Sequence, residues 1–246
     1  PPLDCPVSVV GAGWAGVYAA WRLAVDSAAV RPEDLCLFDA RGEFGGRTYS
    51  VHVPVDGDQS LVVDVGAYRF AKEMHLPGDL IRHLNLSCQC YKPSCGEEEG
   101  MVLYRIVDAS NNSAGYNTAM RTMIDQLLAA GSRLLFGHAL TAIVEWEAEA
   151  EAEAARPLGG RPPMRLLFAG GVSVKARAAL LNLPRRAIQG MRPDSLMFRR
   201  PLSRALLRQC SPGSIKGFKV YAVYEEPWWA TMLNLTEGYF ADASRQ

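Results

Sequence analysis

The stretch that decides the fold runs from Val7-Ser-Val-Val-Gly11 through Ala-Gly13-Trp-Ala-Gly16, an apolar run that ends in a glycine-rich turn. Apolar residues then recur at helical spacing, at Val17, Ala20, Trp21 and Ala24. This order predicts a strand, a tight turn and a helix, which together bring backbone N–H groups at a helix N-terminus onto a phosphate. The sequence therefore predicts an α/β, doubly wound Rossmann-like domain that binds a dinucleotide.

The three glycines of the turn have different predicted roles. Gly11 allows the sharp turn, Gly13 lets the backbone approach the phosphates, and Gly16 lets the helix pack closely on the strand. Trp14 and Ala15 lie between these glycines and are counted with them as cofactor-binding residues.

A second apolar run, Leu35–Phe38, ends at Asp39, where an acidic side chain can accept hydrogen bonds from ribose hydroxyls. A second glycine motif follows, in which Gly45 and Gly46 permit close backbone approach to the cofactor. Arginine side chains on either side of it can neutralise a diphosphate that a helix dipole alone holds weakly. The predicted cofactor-binding residues of this segment are Asp39, Ala40, Arg41, Gly45, Gly46 and Arg47.

The segment from Asp39 to Thr48 resembles the second glycine motif of the flavin-containing amine oxidases. This resemblance implies FAD, and not NAD, as the cofactor. In that family an Asp-x-Gly turn carries the backbone beneath the flavin, and Asp64-Val-Gly66-Ala67-Tyr68 matches it. Gly66, Ala67 and Tyr68 are therefore expected to contact the cofactor.

Arg69 follows this turn at the position where L-amino acid oxidases and tryptophan 2-monooxygenases carry an arginine that monoamine and polyamine oxidases usually lack. A guanidinium holds a carboxylate through two parallel hydrogen bonds, so Arg69 is the candidate for binding a substrate α-carboxylate. The alternative is an ordinary pairing of Arg69 with a nearby acid or phosphate.

Lys219 stands in a segment, Ile215 to Trp229, that resembles the family strand beginning with a lysine and ending in an aromatic pair. The resemblance implies that Lys219 is the active-site lysine, which binds a water at flavin N5. Lys216 is the weaker candidate, and a solvent-exposed structural lysine is the alternative.

These resemblances imply an FAD-dependent oxidoreductase that deaminates an L-amino acid to a 2-oxo acid, ammonia and hydrogen peroxide, with dioxygen as the second substrate. A polyamine or monoamine oxidase, or a non-catalytic flavin-binding relative, is the alternative. Oligomeric state is left open, with a homodimer as one option.

The resemblance also predicts a division of the chain. Residues 1–72 and 111–190 are expected to form a discontinuous FAD-binding domain, 73–110 a shortened substrate segment, and 191–246 an incomplete substrate domain. Family members have one further flavin-contacting segment, so the chain is expected to be an N-terminal fragment, with a degenerate relative as the alternative. The predicted elements include a helix over Gly78–Leu86, a helix with an apolar stripe closed by Gly131, and a buried parallel strand over Ala176–Leu183. The stripe comprises Met120, Met123, Ile124, Leu127 and Leu128.

Composition limits the partners. The 246 residues include 26 basic and 26 acidic side chains, a balance that does not suggest nucleic acid or an anionic membrane surface. No apolar run approaches the roughly 20 residues of a membrane span.

Two features favour a secreted or extracellular glycoprotein. Asn85, Asn111 and Asn234 each begin an N-x-[ST] sequon. Three cysteines, Cys88, Cys90 and Cys95, are bunched in a loop-like stretch where a disulfide can form, with unpaired thiols as the alternative. No metal site is expected, because a CxxC pair is lacking and the spacing to His83 is irregular.

Overall fold

The computed structural model describes residues 2–54, 60–71, 73–91, 102–146, 163–199, 201–209, 219–222 and 224–235. The chain divides into two compact units, Pro1–Ser214 and Ile215–Gln246. Within the described residues, no helix has both the length and the apolar character needed to cross a bilayer.

The first unit contains most of the secondary structure. Its strands are β1 (Leu3–Asp4), β2 (Val7–Val10), β3 (Leu35–Phe38), β4 (Ser50–Pro54), β5 (Ser60–Asp64), β6 (Phe70–Ala71), β7 (Cys88–Cys90), β8 (Leu103–Ile106), β9 (Arg133–Leu135), β10 (Leu140–Glu145), β11 (Met164–Phe168), β12 (Ser173–Ala176) and β13 (Ala178–Leu181). Its helices are α1 (Trp14–Trp21), α2 (His75–His83), α3 (Thr118–Ala130), α4 (Arg185–Gln189) and α5 (Pro201–Gln209). The described residues of the second unit include the helix α6 (Trp228–Leu233).

A four-stranded parallel sheet in the order β13-β2-β3-β9 is the centre of the fold. All four residues of Leu35–Phe38 are buried, as expected for a parallel strand covered on both faces. From β2 the chain continues to β3 and β9 on one side of the sheet, and it later returns to form β13 on the other side of β2. This change of direction places a topological switch point at the carboxyl end of β2. The predicted Rossmann-like α/β fold is confirmed.

Different layers cover the two faces of this sheet. Val9, Leu35 and Leu37 pack with α1, α2 and α3 in one core. The alternate residues, including Val10 and Phe38, pack against the antiparallel part of a second sheet, β1-β12-β11-β10. The period of two along β2 and β3 thus explains the three-layered arrangement.

The strand predicted over Ala176–Leu183 is shorter in the structure and is not buried. β13 is parallel to β2, as predicted, but lies at the edge of the described sheet, and Leu180 is 42% exposed. An edge strand has one neighbour only, so one side of it stays open.

Helix α3 carries the predicted apolar stripe with one exception. Met120, Met123, Ile124 and Leu127 are buried, whereas Leu128 is 52% exposed and was wrongly assigned to the stripe. Gly131 ends the helix in the left-handed conformation (φ +99°), as predicted. The helix predicted over Gly78–Leu86 is α2, which begins at His75 and ends at His83, because the chain turns at Leu84 and Asn85.

The structure contains a disulfide that the sequence analysis did not predict. Cys5 and Cys36, both fully buried, form a disulfide that joins the start of β2 to β3. Cys90 is also disulfide-bonded, whereas Cys88 is a free, exposed thiol. Cys95 lies outside the described residues.

The second unit corrects the expectation of a strand ending in an aromatic pair. Residues 219–222 and 224 are not part of a strand, and Trp228 and Trp229 open α6. Trp228, Trp229 and Tyr224 contact one another edge to face. Lys216 lies outside the described residues.

Candidate cofactor and substrate site

The glycine turn after β2 lies very close to other backbone segments at Gly11 and Gly16. Gly11 has φ +103°, and its N–H donates to the carbonyl of Phe38 at 2.7 Å. A Cβ on Gly11 would lie 2.4 Å from the carbonyl oxygen of Asn182, and a Cβ on Gly16 would lie 1.7 Å from the carbonyl oxygen of Gly11. Any side chain at either position would therefore collide with backbone.

Gly13 has a different environment. A Cβ there would have no protein atom within 4 Å, so this side of the turn faces open space. Gly13 directly precedes α1, which has no side-chain cap and no acidic residue in its first turn. The positive end of the helix dipole is thus available to an anion beside Gly13.

The next two residues of the motif flank this position. Ala15 is exposed, and Trp14 stacks on Tyr116 with ring centroids 4.9 Å apart. The first turn of α1 is in this way packed against the segment that leads into α3.

Asp39 ties the carboxyl ends of β2 and β3 together. Its Oδ2 accepts the N–H of Ala12 at 2.7 Å, and its Oδ1 accepts the N–H of Arg41 at 2.8 Å. Each carboxylate oxygen keeps a second lone pair, which can accept a ribose hydroxyl. Ala40, between these residues, is exposed.

The second glycine motif lies directly on the first. The N–H of Gly45 donates to the carbonyl of Ala12 at 2.9 Å, and a Cβ on Gly46 would lie 3.4 Å from Cα of Gly13. Gly45 and Gly46 have φ of +121° and +59°, so both adopt the conformation that glycine tolerates best.

The two arginines of this motif are in different situations. Arg41 pairs with Glu43 at 2.5 Å, donates to the carbonyl of Gly46 at 3.3 Å and lies over the ring of Tyr49. Arg47 is exposed and has no acidic partner among the described residues. Arg47 is therefore the more available of the two for a phosphate.

The turn expected to run beneath the flavin packs onto the same segment. The N–H of Ala67 donates to the carbonyl of Arg47 at 3.0 Å, and a Cβ on Gly66 would lie 1.8 Å from that oxygen. The structure thus brings Gly13, the pair Gly45–Gly46 and the pair Gly66–Ala67 together, although they come from three separate parts of the sequence.

Arg69 extends from this turn, and its side chain is exposed. Its guanidinium carbon lies 4.7 Å from the ring centroid of Tyr68 and 5.4 Å from that of Tyr91. Within the part of the chain that the structure describes, Arg69 has no carboxylate partner.

Buried hydrogen bonds join β4 and β5 to the segment that leads into α3. Asp64 accepts hydrogen bonds from the hydroxyl of Ser50 and, at 2.9 Å, from the N–H of Tyr116. Burial of Tyr116, followed by the nearby Cys88 and Asp64, raises the pKa of its hydroxyl to about 12. Tyr116 thus stays neutral in the physiological range, where its ring packs between Trp14 and Phe70.

Sequence reasoning missed Asn182, which follows β13 and contacts Gly11 and Gly16. Its Nδ2 is enclosed and has no hydrogen-bond partner in the described structure. The sequence contained a signal for Asn182, because this residue ends an apolar run before Pro184 and the carboxyl ends of parallel strands face the ligand.

An open Gly13, an uncapped helix and an acceptor at Asp39 together fit the ADP half of a dinucleotide.

Lys219 lies in the second unit, and its side chain is exposed. Its role beside the flavin stays a prediction, carried by the sequence resemblance alone.

Comparison with known proteins agrees with this fold. Residues 9–80 match the family model described as an NAD(P)-binding Rossmann-like domain. Achacin from Lissachatina fulica is 37% identical over 82 residues, which is 33% of this chain and 14% of Achacin. This sequence likeness covers a third of this chain and a small part of the relative.

Solved structures extend the likeness beyond that segment. Wild-type putrescine oxidase bound to putrescine matches with a TM-score of 0.53 and 13% identity, covering 78% of this chain and 61% of that one. A single-substitution mutant of putrescine oxidase matches with a TM-score of 0.58, covering 85% and 64%. The chain spans less than two thirds of these proteins, and at 13% identity the likeness shows the fold alone. Taken with the three motifs, these likenesses confirm the predicted resemblance to the flavin-containing amine oxidase family.

Proposed function

We propose that the protein is an FAD-dependent oxidase that converts an L-amino acid, dioxygen and water to a 2-oxo acid, ammonia and hydrogen peroxide. The observation that carries this proposal is Arg69, an exposed guanidinium that has no acidic partner among the described residues. A guanidinium in this state can bind an α-carboxylate through a bidentate pair of hydrogen bonds. A substrate without a carboxylate would make no use of it.

The residues of the first unit support FAD as the cofactor. Gly13 and the N-terminus of α1 would receive the pyrophosphate, Arg47 would balance its charge, and Asp39 would accept ribose hydroxyls. Gly66, Ala67 and Tyr68 would lie beneath the flavin, as the family resemblance implies. FAD supplies the two-electron oxidation when it is bound, and the protein supplies binding and orientation.

Two side chains have proposed roles in the reaction. Arg69 would orient the α-carboxylate and so hold the Cα–H bond of the substrate in one geometry. Restricting that geometry lowers the entropic part of the activation barrier. Lys219 would hold a water near the reacting centre, a role that rests on the sequence resemblance.

The test compares L-phenylalanine with phenethylamine, which lacks only the carboxylate, in protein expressed from its complete reading frame. A charge-assisted hydrogen bond contributes about 1.5–3 kcal/mol, so losing the carboxylate contact of this exposed arginine should cost roughly 10- to 150-fold in kcat/KM. Arg69→Ala should therefore lose turnover of phenylalanine by such a factor and leave phenethylamine turnover unchanged or improved. Hydrogen peroxide release is the measurement.

Arg82→Ala is the matched control, because Arg82 is also an exposed arginine but is paired with Asp79. It should leave both substrates unaffected. A wild type that prefers phenethylamine, or an Arg69→Ala variant that loses both substrates equally, would refute the carboxylate role.

A polyamine or monoamine oxidase is the second candidate, favoured by the fold shared with putrescine oxidase. It predicts peroxide release from putrescine or phenethylamine in preference to phenylalanine. A non-catalytic flavin-binding protein would retain FAD and release no peroxide with either class of substrate.

We also infer that the protein is secreted and N-glycosylated. Asn85, Asn111 and Asn234 are all exposed and lie in turns with left-handed φ of +55°, +63° and +50°. The Cys5–Cys36 disulfide further favours an oxidising compartment.

N-glycosidase treatment of protein from its native source should increase gel mobility. Each Asn→Gln change at a glycosylated sequon should remove the part of this mobility shift that comes from one glycan. Asn112→Gln, which leaves the Asn111 sequon intact, is the control and should change nothing. A protein whose mobility does not change and whose Cys5 and Cys36 react as thiols would contradict this inference.

A further inference from the structure

Arg69 and Tyr91 are brought together by the three-stranded sheet β6-β8-β7. Arg69 directly precedes β6, and Tyr91 directly follows β7. Both outer strands pair with β8, where Phe70 and Cys90 lie on either side of Tyr104. The central strand therefore fixes the spacing between Arg69 and a residue distant from it in sequence.

The two tyrosines that contact the guanidinium are not equivalent. Tyr68 is the neighbour of Arg69 in the chain and moves with it. Tyr91 comes from a different strand, and its ring lies 5.4 Å from the guanidinium carbon and 5.4 Å from the ring of Tyr68. The contact with Tyr91 is thus the one that holds the end of Arg69 relative to the sheet.

Tyr91 is itself well anchored. Its N–H donates to the carbonyl of Leu103, the first residue of β8, at 2.7 Å, and the preceding Cys90 is disulfide-bonded. Tyr91 is 41% exposed and is therefore a surface residue and not part of the core.

A ring contact also suits the proposed chemistry better than an ion pair. A guanidinium donates all of its hydrogen bonds in its own plane, whereas a cation–π contact uses its face. An acidic partner would occupy the donors that a carboxylate needs, but an aromatic partner leaves them free. Holding the long side chain in place also reduces the rotamer entropy lost on binding.

We infer that Tyr91 is a positioning residue for Arg69, which it holds ready for the substrate α-carboxylate through a cation–π contact. This inference rests on the proposed amino acid oxidase function. It assigns Tyr91 to affinity for carboxylate-bearing ligands and not to the oxidation step.

The experiment compares Tyr91→Leu and Tyr91→Gln, which remove the ring, with Tyr91→Phe, which keeps it. A cation–π contact at an exposed site corresponds to roughly two- to fivefold in binding. The ring-deleting variants should raise KM for L-phenylalanine by about that factor, with kcat and phenethylamine turnover unchanged. Tyr91→Phe should behave like the wild type.

A second readout uses 3-phenylpropanoate, which has the carboxylate of phenylalanine but no amine to oxidise. Its inhibition constant should weaken by the same factor in the ring-deleting variants, and the loss should vanish in the Arg69→Ala background. Equal losses for the amino acid and the amine, or a Tyr91→Phe variant as impaired as Tyr91→Leu, would overturn the inference.

A failure of the proposed amino acid oxidase function would give a different result from a failure of the Tyr91 inference. If the wild type prefers phenethylamine, or Arg69→Ala leaves phenylalanine turnover intact, the carboxylate role of Arg69 is wrong, and Tyr91 then has no substrate carboxylate to act on.

Discussion

Gly13 and Gly16 belong to one turn, yet the space around their absent side chains differs completely. A Cβ on Gly13 would meet no protein atom within 4 Å, whereas a Cβ on Gly16 would lie 1.7 Å from the carbonyl oxygen of Gly11. We therefore expect Gly13→Ala to affect the cofactor and Gly16→Ala to affect the fold.

The expected magnitudes follow from these contacts. The methyl of Gly16→Ala would meet the backbone of the glycine turn at Gly11, so α1 has to move away at a cost of about 1–3 kcal/mol or more. That corresponds to a fall in Tm of roughly 2–12 °C for a chain of this size. Gly13 has φ −77° and ψ −179°, which alanine adopts freely, so Gly13→Ala should change stability by no more than about 1 kcal/mol.

Cofactor affinity should show the opposite order. A methyl on Gly13 would take the space offered to the pyrophosphate and weaken one or more charge-assisted hydrogen bonds, each contributing about 1.5–3 kcal/mol. The dissociation constant for FAD, measured by quenching of flavin fluorescence, should rise roughly 10- to 150-fold. Thermal unfolding without added FAD measures the fold separately.

Gly42→Ala is the matched control, because Gly42 also has open space at its Cβ and is not a predicted cofactor residue. If Gly13→Ala binds FAD as tightly as the wild type, the pyrophosphate does not lie beside Gly13. If Gly16→Ala unfolds at the wild-type temperature, the close contact between α1 and the turn at Gly11 is not a constraint on the fold.

Two further predictions concern stability. The Cys5–Cys36 disulfide closes a sequence separation of 31 residues, so the Cys5→Ala/Cys36→Ala variant should lose about 3–4 kcal/mol in urea unfolding; an unchanged midpoint would contradict that value. For Tyr116, the raised pKa means that the folded protein binds more protons than the unfolded chain between pH 10 and about 12. Its contribution of about 2–3 kcal/mol should be fully present below pH 10 and should be lost as the pH rises towards 12. Tyr116→Phe should remove this part of the alkaline loss, and a variant with the wild-type pH profile would refute the assignment.

Local sequence determined the nucleotide-binding half of the fold. β2, the glycine turn, α1 and β3 were predicted because apolar periodicity and glycine spacing act over a few residues, and Asp39 follows its strand directly. The residues of the apolar stripe predicted for α3 are also buried, with one exception. Leu128 was the exception, because a helix face is exposed or covered according to what packs on it and not according to hydrophobicity.

Tertiary structure decided everything that depends on distant partners. The disulfide between Cys5 and Cys36 forms because β2 and β3 are neighbours, and Asn182 contacts Gly11 because β13 pairs with β2. The segment after Lys219 showed the limit most clearly, since the family resemblance predicted a strand there and the two tryptophans instead begin a helix. A strand exists only where another strand supplies its hydrogen bonds, whereas a turn or a helix satisfies its own. Sequence alone therefore determined the glycine turn and the helices α1, α2 and α3, and only the tertiary structure decided the strand pairings.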